Sequence, residues 1–145
     1  MLKGIPSILS PDLLKILQEM GHGDTIVIVD ANFPAASCAK RLVRADGHNL
    51  PDVLSAVMQL LPLDTYSEYQ AGLMEVVPGD TTVPVIWDTI RKIVAEHEDI
   101  DVKYEFIERF EYYKRTRDAF AVVSTGETAL YANIILKKGV IAPIK

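Results

Sequence analysis

Four short polar clusters interrupt the apolar stretches of this chain, and each places a hydrogen-bonding or proton-transferring side chain beside a residue that turns the backbone. They are MGHGD at 20–24, DANFP at 30–34, RFEYY at 109–113, and TGE at 125–127 followed by YAN at 131–133. Together they supply an imidazole, a carboxylate, a guanidinium, a phenol and an amide. This set of donors and acceptors suits a neutral polyhydroxy ligand, which needs neither a metal ion nor a phosphate-binding loop.

The first cluster offers a group for proton transfer and the second offers an acceptor. Histidine has an ordinary pKa of about 6.5, so it both gives and takes protons near neutral pH, and His22 is the candidate for that role. Its neighbours Gly21 and Gly23 let the backbone turn and keep bulky groups away from a ligand. The Asp30 carboxylate can accept hydrogen bonds from two hydroxyl groups at once. Each residue alone has a plainer interpretation, His22 as a helix-end residue and Asp30 as a turn cap.

The other two clusters supply candidate contacts to the same ligand. Arg109 is always charged and only donates, so it suits a pair of hydroxyls or a ring oxygen. Arg109 and Tyr113 lie four residues apart and share a helix face, where Tyr113 forms a pocket wall or orients a partner. Tyr131 and Asn133, on either side of Ala132, point to one side of the chain if that segment is extended.

The elements that must position these side chains are a mixture of helices and strands. The sequence predicts helices from the Ser10 cap to Gly21, over 50–61, from 82 to 94 and over 109–117. Gly21 is expected to be the left-handed residue that ends the first of them. It predicts strands at 25–29, 73–77, 102–106, 120–123 and 134–136, and a loop with at most a short helical turn at 32–42. The mixture indicates the α/β class, as a single compact domain over 1–145 with a central sheet flanked by helices.

The spacing of His22 and Asp30 leads to a hypothesis about the site. They flank the run Thr25–Val29, which shows no polar alternation and therefore predicts a strand covered on both faces. With a rise of about 3.3 Å per residue, the two side chains lie roughly 20 Å apart, far more than the length of a small polyhydroxy ligand. We therefore expect a His22 and an Asp30 that touch one such ligand to come from different subunits.

Composition and missing motifs exclude several classes of function. The net charge is −5 without a basic cluster, which argues against nucleic-acid binding. The single cysteine, Cys38, permits no intrachain disulfide and fits a reducing compartment; we interpret it as a small hydrophobe rather than a catalytic thiol. No apolar run has transmembrane length and no signal pattern is present, so we expect a cytoplasmic protein that binds no membrane. Neither a nucleotide-phosphate loop nor a GxSxG motif occurs, and the three histidines lack metal-ligand spacing.

Read together and in order, the clusters resemble those of the RbsD/FucU family of sugar anomer isomerases, which includes L-fucose mutarotases and D-ribose pyranases. The resemblance extends from about Leu2 to Val140. The matching segments are GHGD at 21–24, DA at 30–31 with FP at 33–34, RADG at 44–47, RF at 109–110 with Tyr113, TGE at 125–127, and YANIILKKGV at 131–140.

The resemblance implies roles for individual residues and an assembly. It implies that His22 is the proton donor, and that Asp30, Arg109, Tyr131, Ala132 and Asn133 contact the sugar without a metal or cofactor. It also implies an RbsD-like fold that forms ring-shaped homo-oligomers, commonly decamers, with sites between subunits.

Arg109 directs the resemblance toward the fucose branch, because the ribose branch usually carries His at that position. Asn32 stands where the fucose branch usually has His, and residues 67–72 differ from the apolar stretch of the family, so the sugar stays open. The alternatives are a D-ribose pyranase, which interconverts pyranose and furanose forms, and a monosaccharide-binding protein without turnover. A side chain or a water molecule remains open as the base.

Overall fold

Six strands form one mixed sheet, and its centre consists of the most apolar segments of the chain. The computed structural model describes residues 1–144. The strands are β1 Thr25–Val29, β2 Leu42–Ala45, β3 Ala71–Met74, β4 Tyr104–Ile107, β5 Ala121–Thr125 and β6 Ile134–Lys137. Their order in the sheet is β2-β5-β1-β6-β3-β4, and only β6 runs antiparallel to its neighbours. β1 and β5 are almost wholly buried, as β-branched runs at the centre of a covered sheet must be.

Helices cover both faces of the sheet and confirm the predicted α/β fold. They are α1 Pro11–Glu19, α2 Ala35–Cys38, α3 Leu50–Met58, α4 Ile86–His97 and α5 Arg109–Asp118. Ile26 and Ile28 of β1 join a core with α1, α3 and α4, whereas Val27 and Val29 face a smaller core under α2 and α5. Within residues 1–144, no helix is long and apolar enough to span a bilayer.

The strand register brings three of the polar clusters to one edge of the sheet. Because β6 is antiparallel to β1, with Ile28 opposite Ile134, the segment before β6 lies beside Asp30, which follows β1. β4 is parallel to β1, so α5 begins at the same edge. Thr25 at the start of β1 lies opposite Lys137, at the far edge. The carboxyl ends of β1 and β4 thus define the edge where an α/β sheet ordinarily binds ligands.

Element boundaries differ from the sequence-based expectation at several places. Residues 32–42 contain the expected short turn, α2, in which Cys38 is buried, but the edge strand β2 was not predicted. Only Val43 of β2 is buried, so its sequence has no continuous apolar run. β3 and α4 begin at Ala71 and Ile86, whereas the predictions placed their starts at 73 and 82. In β3, Gly72 packs against Ile107 so closely that an added Cβ would lie 2.7 Å from the isoleucine Cδ1.

The turn after α1 also differs from the prediction. Ser10 caps α1 as expected, accepting a hydrogen bond from the Leu13 N–H. Gly21 was predicted to take the left-handed conformation, and this was wrong: Gly23 does so, with φ +89°. Gly21 instead donates its N–H to Asp24 Oδ2 at 2.8 Å. Because the Asp24 carboxylate accepts the Gly21 N–H, the left-handed residue of this turn is Gly23, after His22.

We expect Gly139→Ala to lower the free energy of unfolding by roughly 1–3 kcal/mol. An added Cβ would overlap the Leu63 carbonyl oxygen and lie 2.8 Å from the Asp64 Cα. The matched control is Gly47→Ala, because nothing lies within 4 Å of a Cβ at that position. Chemical denaturation of the three proteins measures the difference. Equal stability of Gly139→Ala and Gly47→Ala would contradict the close backbone packing.

Candidate active site

A cleft of about 300 Å³ opens at the edge where β1 ends. Its size is at the lower end of the range for small-molecule sites. The cleft is lined by Asp30, Asn32, Phe33, Met74, Val77, Asp80, Arg109, Tyr113, Leu130, Tyr131 and Asn133. Five of these are residues that the sequence analysis selected, and they come from three separate parts of the chain. The structure therefore assembles the predicted polar set, apart from Ala132 and His22, around one cavity.

Asp30 is the buried acceptor of the cleft. It follows β1 directly and is only 6% exposed. Its Oδ1 accepts the Asn32 N–H at 3.0 Å, as in an Asx turn. Burial raises the pKa of this carboxyl above its ordinary value, although hydrogen bonds from Asn32, Phe33 and Asn133 act in the opposite direction. A carboxylate held partly desolvated in this way gains from hydroxyl donors on a ligand.

Asn133 connects the two central strands of the cleft. Its side-chain oxygen accepts the backbone N–H of Asp30 at 3.0 Å, across the β1–β6 junction. The N–H can only donate, so the amide oxygen must face it; the amide nitrogen donates one hydrogen toward the Asp30 carboxyl and keeps its second N–H for a ligand. Asp30 and Asn133 therefore present an acceptor and a donor side by side.

Tyr131 lines the cleft in a conformation that the sequence did not predict. It has φ +59°, in the left-handed region, so the chain is not extended at this residue, although Tyr131 and Asn133 both line the cleft. Trp87 stabilises this backbone by donating its indole N–H to the Tyr131 carbonyl at 3.0 Å. The Tyr131 hydroxyl donates to Asp80 Oδ2 at 2.5 Å and accepts from the Val77 N–H at 3.2 Å. The hydrogen bond to Asp80 raises the pKa of the phenol.

Arg109 and Tyr113 reach the cleft from the first turns of α5, as their helical spacing predicted. Glu108 caps this helix by accepting the Glu111 N–H at 3.0 Å. The Arg109 guanidinium lies over the Phe110 ring, 4.5 Å from its centroid. Within residues 1–144, no carboxylate lies within ion-pair distance of Arg109. Its donors are therefore available to a ligand in the cleft.

Two further residues of the clusters, Ala132 and Glu127, do not line the cleft. Ala132 is fully buried and does not line the cleft, so its predicted sugar contact would have to come through the main chain. Glu127 accepts the N–H groups of Leu50, Thr128 and Ala129, which joins the start of α3 to the loop before Tyr131.

His22 lies away from this cleft. It precedes β1, whereas Asp30 follows it, so the full length of the strand separates them within one chain. His22 Nε2 lies 2.9 Å from Asp64 Oδ1, and its ring centroid lies 5.5 Å from that of Tyr66. One chain thus brings together the sugar-contact candidates but leaves the candidate proton donor at the opposite edge of the sheet.

Comparisons with known proteins identify the family of this chain. A family model described as the RbsD / FucU transport protein family matches residues 3–141. The chain belongs to this family. Among its relatives in the family is the zebrafish (Danio rerio) fucose mutarotase, 50% identical over 149 residues that cover 98% of this chain and 95% of the relative.

Two solved structures of the RbsD/FucU family share the fold. The fucose mutarotase of Streptococcus pneumoniae in complex with L-fucose superimposes with a TM-score of 0.92 at 50% identity, covering 97% of this chain and all of that one. Bacillus subtilis RbsD complexed with D-ribose has a TM-score of 0.73 at 26% identity, covering 98% of this chain and all of that one. The RbsD-like fold is confirmed, and this chain is more similar to the fucose-bound protein.

Sequence reasoning missed Asp64, Asp80 and Trp87. Asp80 stands in the segment Pro78-Gly79-Asp80 that follows the strand predicted at 73–77, and Trp87 falls on the helix predicted from 82 to 94. Asp80 and Trp87 both contact Tyr131, which lies 51 and 44 residues away from them in the sequence. No local pattern signals such contacts.

Proposed function

We propose that this protein is a cofactor-independent mutarotase that interconverts the α and β anomers of a free monosaccharide. L-fucose is the substrate that we propose for it. The observation that carries the proposal is the cleft, in which Asp30, Arg109, Tyr131 and Asn133 converge beside the aromatic rings of Phe33 and Tyr113. Hydroxyl-binding groups on an apolar wall are typical of a site for a neutral sugar. Relatives of about 50% identity named fucose mutarotase support the choice of reaction and sugar.

The reaction needs only proton transfers. To open the ring, the ring oxygen gains a proton, the bond from that oxygen to the anomeric carbon breaks, and the anomeric hydroxyl loses its proton as the carbonyl forms. Rotation about the neighbouring bond and the reverse steps give the other anomer, with no change in oxidation state. His22 donates the proton to the ring oxygen, and water or a carboxylate of the site accepts the other. Asp30, Arg109 and Asn133 hold the hydroxyl groups.

The site is composite in this proposal, with His22 supplied by a neighbouring copy of the chain in a ring-shaped homo-oligomer such as a decamer. Within one chain His22 and Asp30 lie beyond opposite ends of β1, which supports this arrangement. Large apolar side chains lie exposed near both places: Leu130 and Phe110 beside the cleft and Tyr66 beside His22. Such side chains are suited to burial between subunits. A cytoplasmic location stays a prediction from the sequence.

A D-ribose pyranase is the second candidate, and Arg109 argues against it. Arg109 lines the cleft at a position where the ribose branch usually has a histidine. Its side chain is longer than that of histidine and always carries a positive charge. The similarity of the fold to that of RbsD complexed with D-ribose is the reason to test this candidate. A sugar-binding protein without turnover would use the same cleft but would not need His22.

Exchange NMR on the anomeric protons of L-fucose and D-ribose tests the proposal. We expect faster α/β exchange for L-fucose, in proportion to protein concentration, and a smaller effect on ribose. Acceleration of pyranose–furanose exchange of ribose alone would support the pyranase. Binding of L-fucose without any acceleration would contradict an enzyme.

A further inference from the structure

Behind His22 lies a buried carboxylate, Asp64, that has no part in the chemistry described above. Its side chain is 4% exposed, whereas that of His22 is 45% exposed. We propose that Asp64 is the positioning residue of His22: it holds a proton on Nε2 and so leaves Nδ1 as the atom that exchanges a proton with the sugar. The catalytic part of this inference rests on the proposed function.

Asp64 is an acceptor with both oxygens engaged. Oδ1 accepts the Tyr66 N–H at 3.1 Å and lies 2.9 Å from His22 Nε2, while Oδ2 accepts the Ser67 hydroxyl at 2.6 Å. The Lys137 ammonium lies 3.9 Å from Oδ2. Burial by itself raises the pKa of Asp64, but the hydrogen bonds from Ser67, His22 and Tyr66 outweigh it and the pKa is lowered. The group is therefore an ionised carboxylate near neutral pH.

An ionised carboxylate determines the tautomer of the imidazole. It has no proton to donate, so the nitrogen that faces it at hydrogen-bond distance must carry one. The neutral ring of His22 then has its lone pair on Nδ1, and the protonated ring has its second proton there. Within residues 1–144, no hydrogen bond engages Nδ1, so that nitrogen is available to a ligand.

The backbone fixes the two side chains relative to each other. Asp64 donates its N–H to the Lys137 carbonyl at 3.0 Å. On the His22 side, Gly23 donates to the Lys138 carbonyl at 2.9 Å, and Lys138 donates to the Asp24 carbonyl at 2.8 Å. The two loops are thus tied to adjacent residues at the end of β6, the Asp64 loop to Lys137 and the His22 loop to Lys138. An orientation enforced by main-chain bonds costs little entropy when the sugar binds.

The segment 67–72 lies at the His22 end of the molecule, next to Asp64. Ser67 is its first residue and donates to Asp64. Gln70 holds Ser67 in place, because its side-chain amide donates to the Ser67 carbonyl at 2.8 Å. The polar character of the segment therefore supports the ionised state of Asp64 and does not contribute to the cleft around Asp30.

Two substitutions separate the charge of Asp64 from its geometry. In Asp64→Asn, the amide oxygen keeps its place because the Tyr66 N–H requires an acceptor, and the Ser67 hydroxyl can rotate to accept from the new amide. The His22 Nε2–H keeps an acceptor, but the negative charge is gone. In Asp64→Ala, both the acceptor and the charge are lost. Asp101→Asn, at an exposed position, is the control for loss of a carboxylate.

Long-range ¹H–¹⁵N NMR of the His22 ring in the sugar-free protein gives the first readout, and kcat and KM for L-fucose anomer exchange give the second. We expect the wild type and Asp64→Asn to show the Nε2–H tautomer, and Asp64→Ala to show a mixture of both tautomers. We expect kcat to fall by about 10- to 100-fold in Asp64→Ala and by less in Asp64→Asn, with KM nearly unchanged.

A wild-type ring protonated on Nδ1, or a wild-type kcat in both Asp64 variants, would overturn the inference. If Asp64→Ala does not fold, the tautomer of the wild type and the kcat of Asp64→Asn still decide it. A wild type that does not accelerate L-fucose anomer exchange would overturn the proposed function. If its His22 ring nevertheless carries the proton on Nε2, the hydrogen bond from His22 to Asp64 remains supported. The two failures are therefore distinguishable.

Discussion

Replacing His22 with Ala is expected to reduce the catalysed rate of L-fucose anomer exchange by about 10²–10⁴-fold, with little change in stability. A positioned acid supplies this much acceleration, so its removal should take away most of the catalysed rate. His22 is nearly half exposed, so its removal leaves no cavity in the core. Exchange NMR measures the rate against the unaided mutarotation of the free sugar.

The control for this substitution is His48→Ala. The His48 side chain is exposed, and the hydrogen bonds recorded for this residue are made by its backbone. We expect His48→Ala to exchange L-fucose at the wild-type rate. If both variants keep full activity while L-fucose still binds, the proton donor is a water molecule or another side chain.

Replacing Asp30 with Asn is expected to weaken L-fucose binding by about 10- to 100-fold, because hydrogen bonds to a charged acceptor are among the stronger ones in proteins. The same change is expected to raise the melting temperature at pH 7. The pKa of Asp30 is raised in the folded protein by burial, so its ionised form is held at a cost in stability. An Asn side chain still accepts the Asn32 N–H without that cost.

The size of this stability effect depends on pH. A group whose pKa is raised by folding favours the folded state below its ordinary pKa, near 3.8 for this carboxyl, and loses that contribution as pH rises through the raised value. The stability advantage of Asp30→Asn should therefore be present at pH 7 and shrink as the pH falls toward 4. Thermal unfolding at several pH values measures it, with the exposed Asp101→Asn as control. A variant less stable than the wild type at pH 7 would show that the Asp30 carboxylate is stabilising.

The sequence predicted the contents of the cleft but not how they are held. Arg109 and Tyr113 depend on local helical spacing, and Asp30 and Asn133 follow or precede apolar strands, so local patterns assigned them to their elements. The family resemblance was needed to select Asp30, Arg109 and Asn133 as sugar contacts. Nothing in the sequence predicted the left-handed backbone of Tyr131, which a hydrogen bond from Trp87 stabilises. That bond joins residues 44 positions apart, and no propensity encodes it.

The same limit applies to Asp64 and to β2. Asp64 meets His22 across 42 residues, through the isolated bridge between Leu63 and Lys138, so it looked like an ordinary loop carboxylate in the sequence. β2 is an edge strand with one buried side chain and lacks the apolar run that identified β1. The separation of His22 from Asp30 needed only the rise of an extended chain, and the structure agrees with it.

The central claim is that His22 and Asp30 of different subunits form one site, and hybrid oligomers test it most directly. His22→Ala and Asp30→Ala chains, each with its own affinity tag, would be co-expressed and the hybrids purified through both tags. In a random mixture, about a quarter of the intersubunit sites combine an intact His22 with an intact Asp30. We predict that the hybrids recover about this share of wild-type L-fucose exchange, while each variant alone stays near the unaided rate. Hybrids as inactive as the single variants would contradict a shared site.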